Sequence, residues 1–195
     1  MNSDRVIVLV MAAGHGRRFG SDKRTALLPG GKPLLASTVA QAQKALPHVY
    51  AVLKEDEQPE AFGLPPETPC IRLAGTSAGL GESLAHVFGR LIHDPRFATF
   101  QSAFVWLGDM PWIEIVTCHQ ILAAADSHRI VRPCHAGKPG HPVGFGRDFW
   151  PELAGLKGLE GGRTIIARNK THCVEVNVAD GNINVDIDVP ADIDH

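Results

Sequence analysis

The first apolar run of the chain, Val6, Ile7, Val8, Leu9 and Val10, has no polar alternation and is mostly β-branched. That is the pattern of a strand covered on both faces in a parallel sheet. From Pro33 to Leu46 the apolar positions Leu35, Val39, Ala42 and Leu46 recur at helical spacing, with Pro33 suited to a first turn and Pro47 closing the segment. His48 to Lys54 reads as a second strand and Cys70 to Leu73 as a short third, separated by a proline-rich acidic loop. Leu80, Leu84, Val87, Phe88 and Leu91 share one face of a helix. Ala103 to Leu107 is an unbroken apolar strand, a helix runs from near Ile113 to about Ala125, and Arg129–Pro133, Thr171–Val178 and Ile183–Ile187 read as further strands. This alternation predicts an α/β fold: one Rossmann-like domain over residues 1–195, with a mainly parallel sheet flanked by helices.

Composition narrows the field. A chain of 195 residues, 44% hydrophobic and carrying a net charge of -2, suits one soluble globular domain with a sizeable core. The mild negative charge argues against a general nucleic-acid binder. The N-terminal apolar run is too short to span a bilayer and lacks a cleavage region, so the expected location is cytoplasmic, with no membrane partner. Cys70, Cys118, Cys134 and Cys173 form no C-x-x-C pair, which indicates neither a disulfide framework nor a zinc knuckle. The grouping of Cys134, His135, Lys138 and His141 with His172 and Cys173 follows none of the common zinc spacings.

The chemistry begins where the first strand ends. Gly14, Gly16 and Gly20 let the backbone turn sharply and bring its N–H groups close to a ligand, while Arg17, Arg18, Lys23 and Arg24 supply positive charge. A phosphorylated ligand is the natural guest. The dinucleotide fingerprint fails because Phe19 stands at its third glycine, which counts against an NAD(P) oxidoreductase that the strand-loop-strand opening and Glu55 and Asp56 after the second strand would favour. No register gives a Walker loop.

Three further places carry candidate chemistry. Ser83 sits where a helix N-terminus would present its hydroxyl and N–H groups to an anion, although an ordinary helix entry looks the same. Asp109 follows the strand ending at Leu107, at the mouth of the sheet, and either holds a hard cation such as Mg²⁺ or caps the helix beginning near Ile113. Asp186 and Asp188 share a face if extended and could converge on one cation, or form a polar edge with capping aspartates.

Ala12, Ala13, Gly14, Gly16, Arg18, Gly20 and Lys23 resemble the signature Ala-Ala-Gly-x-Gly/Ser-x-Arg-x-Gly-x-x-Lys of the MobA-like NTP transferase family, in its molybdenum cofactor cytidylyltransferase form. Five more elements follow in family order. Gly79-Leu80-Gly81-Glu82-Ser83-Leu84 is similar to Gly-Met-Gly-x-Ser-Leu, and Gly108-Asp109-Met110-Pro111 to Gly-Asp-Gln-Pro with Met110 in place of Gln. Gly140-His141-Pro142-Val143-Gly144-Phe145 resembles Gly-x-Pro-x-x-Phe. Leu156, Gly158, Gly161 and Arg163 resemble Leu-x-Gly-Asp-x-Gly-x-Arg with Leu159 in place of Asp, and Asp186 to Asp192 resembles Asp-Ile-Asp-Thr-Pro-Glu-Asp.

The resemblance implies Mg²⁺-dependent transfer of CMP from CTP to a molybdopterin-type acceptor, with a molybdoenzyme as a candidate recipient of the product. It assigns catalysis to Arg18, Lys23 and Asp109, and nucleotide binding to Ala12, Ala13, Gly14, Gly16, Arg18, Lys23, Gly79, Gly81 and Ser83. It assigns the metal to Asp109, Asp186 and Asp188, and the acceptor to His141 and Arg163. His141 is otherwise a solvent-exposed turn residue, and Arg163 otherwise pairs with a carboxylate. Leu159 removes a polar group near the acceptor end. A non-catalytic factor that binds nucleotide or pterin, or a transferase acting on another phosphorylated acceptor, also fits these residues.

Overall fold

The computed structural model describes residues 1–195 apart from 15–20, 76–78, 158–160, 189 and 195. The apolar N-terminal run forms β1 (Val6–Met11), every residue of which is buried. Its parallel neighbours are β2 (Val49–Lys54) on one side and β4 (Ser102–Leu107) on the other, and β3 (Cys70–Leu73) extends the sheet beyond β2. Between them α1 (Leu34–Ala45) links β1 to β2, and α2 (Leu80–His93) links β3 to β4. Past β4 comes α3 (Ile115–Ala124), then β5 (Ile130–His135), the two-residue β6 (Lys138–Pro139) and β7 (Val143–Gly146). The short helices α4 (Trp150–Ala154) and α5 (Gly162–Arg168) precede β8 (Cys173–Asn177).

Among the described residues the sheet has eight strands in the order β3-β2-β1-β4-β7-β5-β6, with β8 parallel to β5. The parallel half matches the sequence reading, and β7, antiparallel to both β4 and β5, makes the sheet mixed. Strand periodicity divides the core. Val6, Val8 and Val10 pack with Leu35, Val39, Trp106 and Ile121 on one face. Ile7, Leu9 and Met11 pack with Leu84, Phe88, Phe145 and Trp150 on the other. Two full faces explain why β1 reads as continuous apolar sequence, since each buried Val or Leu contributes about 1.5–3 kcal/mol relative to exposure.

Two expectations are corrected. Ile183–Ile187 is not a strand: Gly181–Asn184 forms a 3-10 turn whose Asn182 N–H is accepted by Asp180, and the following residues run without regular structure. Leu80 does not join the buried face of α2 but is 43% exposed. Among the described residues no helix is long and apolar enough to cross a membrane, and all four cysteines are free thiols.

The chain leaves β1 toward β2 on one side and returns, after β3, to β4 on the other. A crevice therefore opens between the C-terminal ends of β1 and β4, the place where open α/β sheets bind ligands. Ala12, Ala13 and Gly14 leave one lip and Gly108 and Asp109 the other.

Candidate active site

Close approach of the two lips requires a glycine. Gly108 N–H donates to the Met11 carbonyl at 2.9 Å, and a Cβ at Gly108 would meet that same oxygen at 2.8 Å. Thr38 Oγ1 on α1 donates to the Gly108 carbonyl at 2.9 Å, which fixes the turn that delivers Asp109. Asp109 is not the cap of α3. The N-cap residue is Glu114, and Asp180 anchors that end of the helix, its Oδ2 accepting from Glu114 N–H at 2.8 Å and from Thr117 Oγ1 at 2.9 Å.

The C-terminal segment is bound to the same mouth by its backbone. Ile187 N–H donates to the Asp109 carbonyl at 3.0 Å, His141 N–H donates to the Ile183 carbonyl at 2.9 Å, and the Ile187 side chain is buried beside Leu28 and Leu34. These contacts bring Asp186 and Asp188 to Asp109, with one carboxylate oxygen from each within 4.8 Å of the others. Burial and the charges of Asp109 and Asp188 hold the Asp186 carboxyl above its ordinary pKa. Asp109 Oδ1 is buried and has no hydrogen-bond partner among the described residues. Three converging carboxylates and an orphaned oxygen suit a hard divalent cation, which prefers oxygen ligands. It is the only group of three or more candidate metal ligands among the described residues.

Lys23 enters this cluster from the far side of the glycine loop. Its Nζ donates to Asp109 Oδ2 at 2.6 Å, to the Ile187 carbonyl at 3.1 Å and to Asp188 Oδ1 at 3.2 Å. Burial opposes its charge, but the two carboxylates outweigh this and raise its pKa. Arg24, grouped with the loop cations in the sequence, has a different task. It pairs with Asp22 and Glu57, each at 2.7 Å, and donates to the Ala12 carbonyl at 2.7 Å. It ties the loop's exit to the end of β2, its charge matched by two carboxylates where it lines the first cavity.

Two cavities meet at this mouth. The first, about 460 Å³, is lined by Ala12, Ala13, Gly14, Lys23, Ser83 and Asp109 among others. Of the residues assigned to nucleotide by resemblance, it gathers Ala12, Ala13, Gly14, Lys23 and Ser83, while Gly79 and Gly81 line the second cavity. Gly16 and Arg18 lie outside the described residues, as do Gly20, Gly158 and Leu159. Leu80 and Leu107 line both cavities, which places the exposed Leu80 side chain where the two adjoin.

The second cavity, about 930 Å³, holds both predicted acceptor residues, His141 and Arg163. His141 is half-buried rather than an exposed turn residue. Burial, reinforced by the Arg163 charge and opposed by Asp186, depresses its pKa to about 4, so at neutral pH it is an uncharged imidazole. Arg163 pairs with no carboxylate among the described residues. The sequence reading missed Lys170, which lines the same wall with Arg163, Ile166 and Ala167. Arg163, Ile166 and Ala167 share one side of α5, while Lys170 follows the helix end in a 3-10 turn, so helical spacing did not announce it. It also missed Arg132 and Glu175, which pair across β5 and β8 at the cavity's edge.

The MobA-like NTP transferase domain model matches residues 8–174. Comparison with curated protein sequences gives no match. Among solved structures, the homolog of Mycobacterium tuberculosis Rv0371c from Mycobacterium sp. strain JC1 is 26% identical with a TM-score of 0.80, over 100% of this chain and 95% of that one. Rv0371c of M. tuberculosis H37Rv in complex with manganese is 21% identical with a TM-score of 0.76, over 96% and 95% of the two chains. Molybdopterin-guanine dinucleotide biosynthesis protein A from Archaeoglobus fulgidus is 18% identical with a TM-score of 0.67, over 96% and 94%.

Proposed function

Since the chain belongs to the MobA-like NTP transferase family, we propose that it transfers CMP from CTP to a molybdopterin-type acceptor and releases pyrophosphate. The observation that carries this reading is the pair of cavities meeting at Leu80 and Leu107, with Lys23 and Asp109 on the floor of the first. A nucleotide in the first cavity presents its α-phosphorus toward the second. There an acceptor phosphate oxygen attacks in line, a new P–O bond forms, and the bond to the β-phosphate oxygen breaks with its electron pair leaving on pyrophosphate. Such a reaction needs positioning and charge stabilisation more than proton transfer.

The residues divide that work. The backbone from Ala12 to Gly14 approaches the triphosphate, and Lys23 offsets charge that develops on it. Asp109, Asp186 and Asp188 would hold a divalent cation, Mg²⁺ by resemblance and with a manganese complex known for Rv0371c. When bound, such an ion offsets phosphate charge that the protein's own cations leave uncovered. Arg163 orients the anionic end of the acceptor, and neutral His141 offers it one N–H.

The choice of CTP rests on Ala12-Ala13-Gly14, because guanylyl relatives usually open Leu-Ala-Gly-Gly. The test is pyrophosphate release with purified molybdenum cofactor and Mg²⁺, comparing CTP, GTP, ATP and UTP. Release with CTP is expected. Release with GTP alone would overturn the nucleotide assignment, and silence with all four in protein that binds CTP would overturn the acceptor.

A further inference from the structure

Lys23 is hydrogen-bonded to two of the three carboxylates that converge at the mouth, and a third bond to the Ile187 carbonyl completes its shell. An ammonium has three N–H donors, and here all three are used inside the cluster. With side chains only 17% and 18% exposed, the Lys23–Asp109 pair lies where water screens charge poorly. A dication approaching Asp109 and Asp188 therefore meets a like charge already seated on its ligands. The ammonium also has somewhere to go. Lys23 lines the first cavity together with Gly14 and Ser83, and its flexible four-carbon stem can carry the charge toward a triphosphate there.

We propose that Lys23 is an internal counter-ion of the aspartate cluster, which competes with the divalent cation and gives way when a nucleotide triphosphate provides the ammonium with another partner. Nucleotide and metal then favour each other's binding, by an equal factor in each direction because linkage is reciprocal. Without nucleotide the metal binds weakly, so the protein does not sequester free divalent ions. This inference rests on the reading of the three aspartates as metal ligands, and it adds a second role to Lys23 besides its work on the phosphates.

The experiment is a Mn²⁺ titration of the full chain followed by the EPR signal of the free ion, a readout independent of turnover. Lys23→Met keeps the length of the side chain and removes its charge, and Lys23→Arg keeps the charge. Without nucleotide, Lys23→Met should bind Mn²⁺ at least ten-fold more tightly than wild type, and Lys23→Arg no more tightly. The enhancement of Mn²⁺ affinity by CTP should shrink in Lys23→Met by the factor its nucleotide-free affinity has gained. Equal or weaker binding in Lys23→Met overturns the competition.

A second measurement needs no variant and covers a loss of folding in Lys23→Met. Saturating Mn²⁺ should raise the labelling rate of the Lys23 amine in wild type relative to the exposed Lys44, as read by mass spectrometry. An unchanged ratio overturns the inference. If Mn²⁺ binds no form of the protein, with or without CTP, the metal assignment falls and this inference with it. If Mn²⁺ binds but is indifferent to Lys23, this inference alone falls.

Discussion

Lys23 and Asp109 are separated by 86 residues in the chain and meet at 2.6 Å. The contact joins the exit of the glycine loop after β1 to the turn after β4, so the two lips of the crevice share one ion pair. Asp188, 165 residues from Lys23, makes it a three-part junction at 3.2 Å. Residues from the start, middle and end of the chain thus depend on one another at a single point, and the first prediction concerns that point.

Replacing Lys23 with Ala should lower the rate of pyrophosphate release roughly 10²- to 10³-fold, the range for removing one preorganised donor to developing charge. The measurement is turnover at saturating CTP, Mg²⁺ and acceptor. Unchanged turnover would remove Lys23 from the reaction.

Arg163 should act on one substrate only. Arg163→Ala is expected to raise the KM for the acceptor about ten-fold, the loss of about 1.4 kcal/mol from a charge-assisted contact, with the KM for CTP unchanged. A rise in the KM for CTP instead would place Arg163 on the nucleotide. Lys170→Ala should shift the same parameter in the same direction, since Lys170 shares that cavity wall.

Arg24 is a strut, and its loss should appear in stability. Its side chain is 14% exposed and that of its partner Glu57 is 15% exposed, so Arg24→Ala leaves a largely buried carboxylate without this counter-ion, although its Oε2 still accepts from Lys54 N–H. The expected cost is about 3 kcal/mol, read from urea unfolding. Arg24→Lys should recover little of it, because one ammonium cannot reproduce the forked contacts to Asp22, Glu57 and the Ala12 carbonyl.

His141 gives the fold an acid limit. Its folded-state pKa of about 4 lies below the ordinary histidine value, so folding disfavours the protonated ring. The stabilisation is complete above the ordinary value of about 6.5 and is lost as pH falls through about 4. The imidazole should titrate near pH 4 by NMR. His141→Gln, which cannot be protonated, should flatten the fall in melting temperature across that interval. A ring that titrates near 6.5 would show that it is not desolvated.

Gly140 is the hinge on which the C-terminal aspartates are hung. A Cβ there would fall on the backbone carbonyl of Ile183. Gly140→Ala should therefore displace the segment that carries Asp186 and Asp188, lowering the melting temperature and weakening Mn²⁺ binding together. Gly137→Ala meets open space, although its φ of +78° strains an alanine, and should cost stability without affecting the metal.

Much of this arrangement is legible in the chain because it follows from local rules. The unbroken run at Val6–Val10 requires two apolar faces. The spacing of Leu35, Val39 and Ala42 requires a helix to cover one of them, and Leu84, Val87, Phe88 and Leu91 require a helix for the other. Strand, glycine loop and helix in that order place Ala12–Gly14 and Asp109 at the carboxyl ends of parallel strands, and hence at one crevice.

What the tertiary structure alone decided are the choices made by residues whose nearest partners are far away in sequence. Ile183 to Ile187 has a strand's composition, but its backbone is bonded to His141 and Asp109 in place of a neighbouring strand, so it turns and delivers two carboxylates to the mouth. Arg24 reads as a phosphate-facing cation until Asp22 and Glu57 are found paired to it, and the carboxylate partners that Lys23 has before any phosphate arrives, Asp109 and Asp188, are likewise invisible in the chain. Local pattern sets which face of an element is buried. The charge a side chain can offer a ligand depends on what remains after its neighbours have been satisfied, and those neighbours are assembled only by the fold.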